Sequence, residues 1–370
     1  MKTTLTAMRA DIGSIGGHLQ PSTQVVTAVD QFLAEHRSEP MIDHAISFAG
    51  DDITVLCSHT GGVKNDHVHK LIWEAFAGGA GLAVNQGLYG AGQDLFAEGI
   101  SGVPKGLGPA LAEMEFDERD NEAFLLFSLD KTVPGALNLA FYMAFADPMH
   151  CSGLILSPRM KKGFRFEIMD VVYKAYDRVI TLEAPEDQYN LAALLRDEER
   201  FAIRAIFSRT TGDQSVALST TRLHHIAGIL LGKDDPVAIV RVQDAFPAAG
   251  EILAPFQLGP YVSGSLRGSH HGPLMPVKLN TGISFFDGPP SVSCAAYCIH
   301  DGRLTTAVDP FDHPLWDHVR NRVSEKAVEI RRQGFFGNAM KPFESLAYGG
   351  IVQILQELDE RFVVEKPASS

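Results

Sequence analysis

The chain has 370 residues, 45% hydrophobic and 21% charged, which is apolar material for a large folded core and too much for a disordered chain. Its formal net charge of -13 excludes nucleic acid and anionic membrane surfaces as main partners, because a diffuse acidic surface repels both. The four cysteines, Cys57, Cys151, Cys294 and Cys298, form no C-x-x-C pair, the N-terminus has no apolar signal core, and no run of about 18 apolar residues occurs. Reduced thiols and a cytoplasmic location are the expectation.

In chain order, a first strand is predicted to end at Asp11, followed by Gly13-Ser14-Ile15-Gly16-Gly17-His18. Glycines there allow close backbone approach to a ligand, but the stretch lacks G-x-G-x-x-G, so no dinucleotide site is predicted. Val25, Val29, Phe32 and Leu33 repeat at helical spacing behind Ser22, a good N-cap. Apolar runs at 45–48 and 53–58 flank Gly50-Asp51-Asp52 as a hairpin. Adjacent strand residues face opposite ways, so Asp51 and Asp52 can share one site only at a strand end or turn, which is where they fall. Val68, Leu71, Ile72, Ala75 and Phe76 mark a second helix after Asp66.

Two Gly-rich stretches follow, Tyr89-Gly90-Ala91-Gly92-Gln93-Asp94 and Ser101-Gly102-Val103-Pro104-Lys105-Gly106. Such loops can cradle phosphate with backbone N–H groups, although neither has the Gly-Lys-Ser/Thr of a Walker A loop. An apolar run at 124–129 ends in Asp130-Lys131-Thr132, a carboxylate and an amine at a strand end. Further hairpins are predicted from 164–172 with 178–183, 202–208 with 215–220, and 292–299 with 304–308. Gly232-Lys233-Asp234-Asp235-Pro236 sets an amine beside two hard-metal ligands. Arg267-Gly268-Ser269-His270-His271 offers a guanidinium for a phosphate but no third His or Cys at zinc spacing. Helices close the chain after Pro314 and around Ile351, Ile354, Leu355 and Leu358. Helices separated from antiparallel pairs point to an α+β layered sandwich. One domain is expected over 1–364, with a frayed tail over 365–370.

Taken singly, each of these stretches also reads as an ordinary turn. Together, Asp11, His18, Asp51, Asp52, Gln93, Asp130, Asp234 and Asp235 make an oxygen-dominated ligand inventory, suited to Mg²⁺.

The segments ADIGSIGGH, GDDITVL, LYGAGQDL, GLGPALAEME, DKTVPGALNL, GKDDPVAIVRVQ, RGSHHGPLMPV and FDGPP resemble the fructose-1,6-bisphosphate aldolase/phosphatase family over about residues 1–360. The resemblance implies a four-layer α-β-β-α sandwich, a homo-octamer and one site holding several Mg²⁺ ions. It implies a Schiff-base aldol condensation of triose phosphates, then removal of the C1 phosphate of the sugar bisphosphate. It assigns the eight ligands above to metal, Lys233 to the Schiff base, and Tyr89, Gly102, Lys131, Gln243, Arg267, Asp287 and Tyr348 to the phosphorylated substrate. Four positions depart from the family: Leu230, Leu137 and His271 stand where it has tyrosine, and Val103 where it has asparagine. The tyrosine at position 230 is the family's aldol acid/base, and His271, titrating near neutrality, is the candidate replacement. The candidate catalytic residues are therefore Lys233, Asp11, Asp52 and His271. The departures fit equally a related Schiff-base and Mg²⁺ enzyme acting on another phosphorylated carbonyl compound.

Overall fold

The computed structural model describes residues 1–95, 109–173, 176–219, 235–259, 263–264, 272–282, 289–332 and 350–365. The elements in order are β1 (Lys2–Ala10), α1 (Thr23–His36), β2 (Met41–Ala49), β3 (Asp52–His59), α2 (Asp66–Asn85), β4 (Ala110–Asp117), β5 (Glu122–Asp130), α3 (Asn138–Phe145) and α4 (Gly153–Leu156). Then come β6 (Phe164–Asp170), β7 (Asp177–Ala184), α5 (Gln188–Leu195), β8 (Phe201–Ser208), β9 (Gln214–Leu218), β10 (Val237–Val242) and α6 (Ala249–Leu253). The last are β11 (Ser263–Gly264), β12 (Gly272–Pro273), β13 (Met275–Pro276), β14 (Ser291–His300), β15 (Arg303–Leu304), α7 (Pro314–Arg332), α8 (Gly350–Asp359) and β16 (Val363–Glu365). The class is α+β, as the sequence pattern predicts.

Strands β2-β3-β1-β4 make one sheet, antiparallel between the pairs β1–β3, β1–β4 and β2–β3. A second sheet runs β13-β14-β5-β10-β9-β8-β6-β7-β16. The last predicted hairpin is shorter than its pattern: only Arg303–Leu304 pairs with β14, and Val308 returns in a single bridge to Ala296.

Three buried cores organise these pieces. Val25, Val29, Leu33, Ile72 and Phe76 of α1 and α2 pack on Met8, Ala10, Ile53 and Val55 of the smaller sheet. The opposite faces of the same strands, Leu5, Ala7 and Leu56, pack on Phe124, Leu126, Val237 and Ile239 of the larger sheet. That sheet's other face, Leu125, Phe127, Ala238 and Val240, packs on Phe141 and Phe145 of α3, Leu191 of α5 and Val323 of α7. Among the described residues no helix is long and apolar enough to cross a membrane.

Strand alternation then places the site. The inter-sheet face carries Leu5 and Ala7 of β1, Leu56 of β3 and Phe124 and Leu126 of β5. Two-residue steps along the same strands reach Arg9 and Asp11, Thr54 and Asp52, and Ser128 and Asp130. The inter-sheet layer thus grades from apolar through polar, with Arg9 among the polar residues, to acidic toward one end. Asp235 keeps the same phase, two residues before Val237.

Candidate metal-dependent active site

Ligand atoms of Asp52, Asp130 and Asp235 lie within 4.8 Å of one another, and so do those of Asp11, His18 and Asp51. Asp51 and Asp52 adjoin at the β2–β3 turn, so the two groups belong to one acidic centre. The five aspartates are all buried. Gly50, with φ 60°, lets the turn close over the centre, because a Cβ there would run into the Asp130 carboxylate.

The chain brings some cations of its own. Lys131 Nζ donates to Asp51 Oδ1 at 3.0 Å and to Asp130 Oδ1 at 3.2 Å, from a backbone held at φ 59°. His18 Nδ1 bonds Asp51 Oδ2 and lies 3.6 Å from Asp11 Oδ2. Tyr89 stands edge-on to the His18 ring at 4.8 Å. Asp11 is fixed through its own N–H, which donates to Asp94 Oδ2 at 2.8 Å, and by Gly13 N–H donating to its Oδ1 at 3.1 Å. Gln93 belongs to this side: its Oε1 and Asp11 Oδ2 lie 3.3 and 3.6 Å from the point where a Cβ on Gly90 would stand. Thr132 N–H donates to Asp235 Oδ1 at 2.8 Å.

The electrostatics are uneven. The neighbouring carboxylates of Asp11 and Asp51 raise the His18 imidazole to about 9. Burial would raise Asp51, yet His18 and Lys131 hold it well below the usual carboxylate range. Asp130 is pushed well above that range, by burial first and then by Asp51, Asp235 and Asp52, against the pull of Lys131. Its Oδ2 is buried and accepts no hydrogen bond among the described residues. A buried carboxylate oxygen without a donor carries a large desolvation cost, which a proton or a cation would relieve. Carboxylates, one imidazole and one amide oxygen form a hard donor set, fitting Mg²⁺ better than zinc or copper.

Of the residues singled out from the sequence, Asp11, His18, Asp51, Asp52, Tyr89, Gln93, Asp130, Lys131 and Asp235 converge here. Gln243 does not: it follows β10 at the end opposite Asp235, six strand residues or about 20 Å away. Leu137, expected on the substrate side, is completely buried in the core beneath α3. Lys233, Asp234, Gly102, Arg267, His271, Asp287, Tyr348, Leu230 and Val103 lie outside the described residues. Sequence reasoning passed over Arg9 and Asp94. The signal for Arg9 was present, since it is a charged residue in phase with Leu5 and Ala7.

A family model described as fructose-1,6-bisphosphatase matches residues 2–363. A fructose-1,6-bisphosphate aldolase/phosphatase of Thermus thermophilus is 52% identical over 362 residues, covering 98% of this chain and 100% of that protein. Proteins of the same description from Methanothermobacter marburgensis and Ignicoccus hospitalis are 41% and 43% identical, each covering 98% of this chain and 99% and 93% of their own lengths. With the family matched along nearly its whole length, the chain belongs to the fructose-1,6-bisphosphatase family of enzymes that includes these aldolase/phosphatases.

Proposed function

We propose that this protein is a Mg²⁺-dependent phosphatase for the C1 phosphate of fructose 1,6-bisphosphate, with a Schiff-base aldol activity through Lys233. The observation that carries the proposal is the crowding of Asp52, Asp130 and Asp235 around a buried Asp130 oxygen that lacks a donor. Asp11, His18, Asp51 and Gln93 would hold metal on one side of the centre, and Asp52, Asp130, Asp234 and Asp235 on the other. Mg²⁺ bound there would supply charge neutralisation for a phosphoryl group and its leaving oxygen. Among the described residues, Lys131 is one of the cations at the centre, beside Asp51 and Asp130. Its pKa lies above the ordinary lysine value because Asp130 and Asp51 outweigh the effect of burial, so it stays charged and can bind a substrate phosphate. His18 orients Asp51, and the exposed Tyr89 ring stands edge-on beside it.

That these relatives are fructose-1,6-bisphosphate aldolase/phosphatases supports the sugar bisphosphate as substrate and the pairing of both activities. Gly102, Arg267, Asp287 and Tyr348 would complete the substrate contacts, with His271 in place of the acid/base that Leu230 lacks. We also propose one catalytic domain, a cytoplasmic location and a homo-octamer. The exposed Met149, Ile155, Leu156 and Tyr189 side chains are apolar surface that a neighbouring protomer would cover.

Phosphate release from fructose 1,6-bisphosphate is the direct assay. Release with Mg²⁺ that vanishes in EDTA is the expected result, and release indifferent to EDTA would overturn the metal assignment. Borohydride with dihydroxyacetone phosphate is expected to trap a covalent adduct at Lys233. Phosphatase activity without any adduct would remove the aldolase half.

A further inference from the structure

Arg9 has no place in the chemistry just described, and its surroundings are unusual. It is completely buried on the inter-sheet face, in phase with Leu5 and Ala7. Arginine is a cation in proteins as a rule, so burying it there needs a strong counter-interaction. That partner is Asp52: Arg9 Nη2 stands 2.9 Å from Asp52 Oδ2. The same Nη2 donates to the Ala49 carbonyl at 2.8 Å, while Nη1 donates to Thr54 Oγ1 at 3.2 Å and reaches the Asp52 carbonyl at 3.5 Å. Thr54 Oγ1 in turn bonds Ser128 Oγ at 3.1 Å, which ties this turn to strand β5 two residues before Asp130.

The guanidinium therefore grips the β2–β3 turn at both of its ends, Ala49 and Asp52, from inside the protein. A buried ion pair is a weak source of stability, since desolvation of both charges offsets their attraction. The guanidinium plane is itself fixed by the Ala49 carbonyl and the Thr54 hydroxyl, so its one contact with the carboxylate, from Nη2 to Asp52 Oδ2, is set in direction as well as distance. Building on the metal-dependent reading, we propose that Arg9 is a positioning residue for that centre. It locks the Gly50-Asp51-Asp52 turn and holds the Asp52 carboxylate toward Asp130 and Asp235. Hydrogen-bond partners behind ligating carboxylates have this effect in metal sites generally, and their loss weakens metal binding by about 10–100-fold.

The sign of the effect separates this role from a simpler one. If Arg9 acted only as a nearby positive charge, its removal would tighten cation binding. If it positions Asp52, removal weakens it. Mn²⁺, an octahedral oxygen-seeking probe, can be titrated into the full-length protein with free ion followed by electron paramagnetic resonance. Arg9→Gln is expected to raise the Mn²⁺ Kd by about 10–100-fold while circular dichroism shows a folded protein. Arg9→Lys, with charge but no fork, is expected to fall between the two. In an Asp52→Asn background, Arg9→Gln is expected to add nothing further. A folded Arg9→Gln protein with an unchanged or tighter Kd would overturn the proposal. Should that variant fail to fold, Arg9→Lys decides by itself, and an unaltered Kd would be the contrary result. A wild-type protein that binds no Mn²⁺ would instead strike down the metal reading and this inference with it.

Discussion

Strand β3 has a buried titratable cluster at each end, and the two are built differently. At its start, Asp52 joins Asp11, Asp51, Asp130 and Asp235 in a centre where carboxylates outnumber cations. At its end, His59 joins Thr6, His69 and Glu113. There Thr6 Oγ1 donates to Glu113 Oε1 at 2.7 Å, His69 Nε2 donates to the same oxygen at 2.7 Å, and Lys64 N–H donates to Glu113 Oε2 at 2.9 Å. His59 Nε2 bonds Thr6 Oγ1 at 2.8 Å, and its Nδ1 accepts from Gly61 N–H at 3.2 Å. None of these four side chains keeps a buried polar atom without a partner, whereas Asp130 does. Both clusters are buried; among the described residues, only the acidic one keeps a carboxylate oxygen without a donor. Burial and charge alone therefore do not mark a functional site, but an unmet requirement for a cation does.

The largest expected consequence is in activity. On the proposed metal-dependent reading, Asp130→Asn or Asp235→Asn should cut Mg²⁺-dependent phosphate release by about a thousandfold, the scale of several kcal/mol of Lewis-acid stabilisation. Glu113→Gln should leave the rate per folded molecule within about twofold. Steady-state phosphate release on purified, folded variants checks both, and equal losses at the two ends of β3 would erase the distinction.

Stability should respond next, again at one end only. Mg²⁺ at about a hundred times its Kd should stabilise the wild-type protein by about 2.7 kcal/mol, read as a shift of the denaturation midpoint. Asp130→Asn should abolish most of that gain, and Glu113→Gln should retain it in full. A smaller effect, about 1–3 kcal/mol, should follow from Glu113→Gln itself without any metal. Whichever way the new amide turns, its NH2 group meets a donor: the Lys64 N–H on one side, or the Thr6 hydroxyl and the His69 N–H on the other. A urea titration of that variant in EDTA measures the cost.

The same contrast shows what the sequence could convey. The amphipathic helices α1, α2 and α7 and the local hairpins were legible, because period and turn residues lie within one short window. Strands β4 and β10 were not, since their pairing with β1 and β5 comes from residues more than a hundred positions away. At the site, Asp51 and Asp52 were legible as a pair at a turn, and Asp130 as a carboxylate ending an apolar run. Their convergence depends on strand phase across two sheets, which no single segment contains. Arg9 escaped for the same reason, as its partner lies 43 residues along the chain. Gln243 shows the converse: it belongs to a segment that opens at Asp235, yet the length of β10 carries it to the other end of the sheet.

The smallest effect separates the clusters by pH. Burial lowers the His59 imidazole to about 4, and its Nδ1 already accepts the Gly61 N–H, so a proton there would face another donor. In the unfolded chain the same group titrates near 6.5. Below that value the unfolded state binds the proton and the folded state does not. The contribution of neutral His59 to stability is thus complete above pH 6.5 and is lost as the pH falls toward 4. In EDTA the thermal midpoint of the wild-type protein should fall relative to that of His59→Gln over that window. His18 and Asp130, both raised in the fold, push stability the other way as pH falls, and do so equally in the two proteins. A decline that persists unchanged in His59→Gln would mean that other groups carry the acid sensitivity, and that the satisfied cluster is inert to protons as well as to metal.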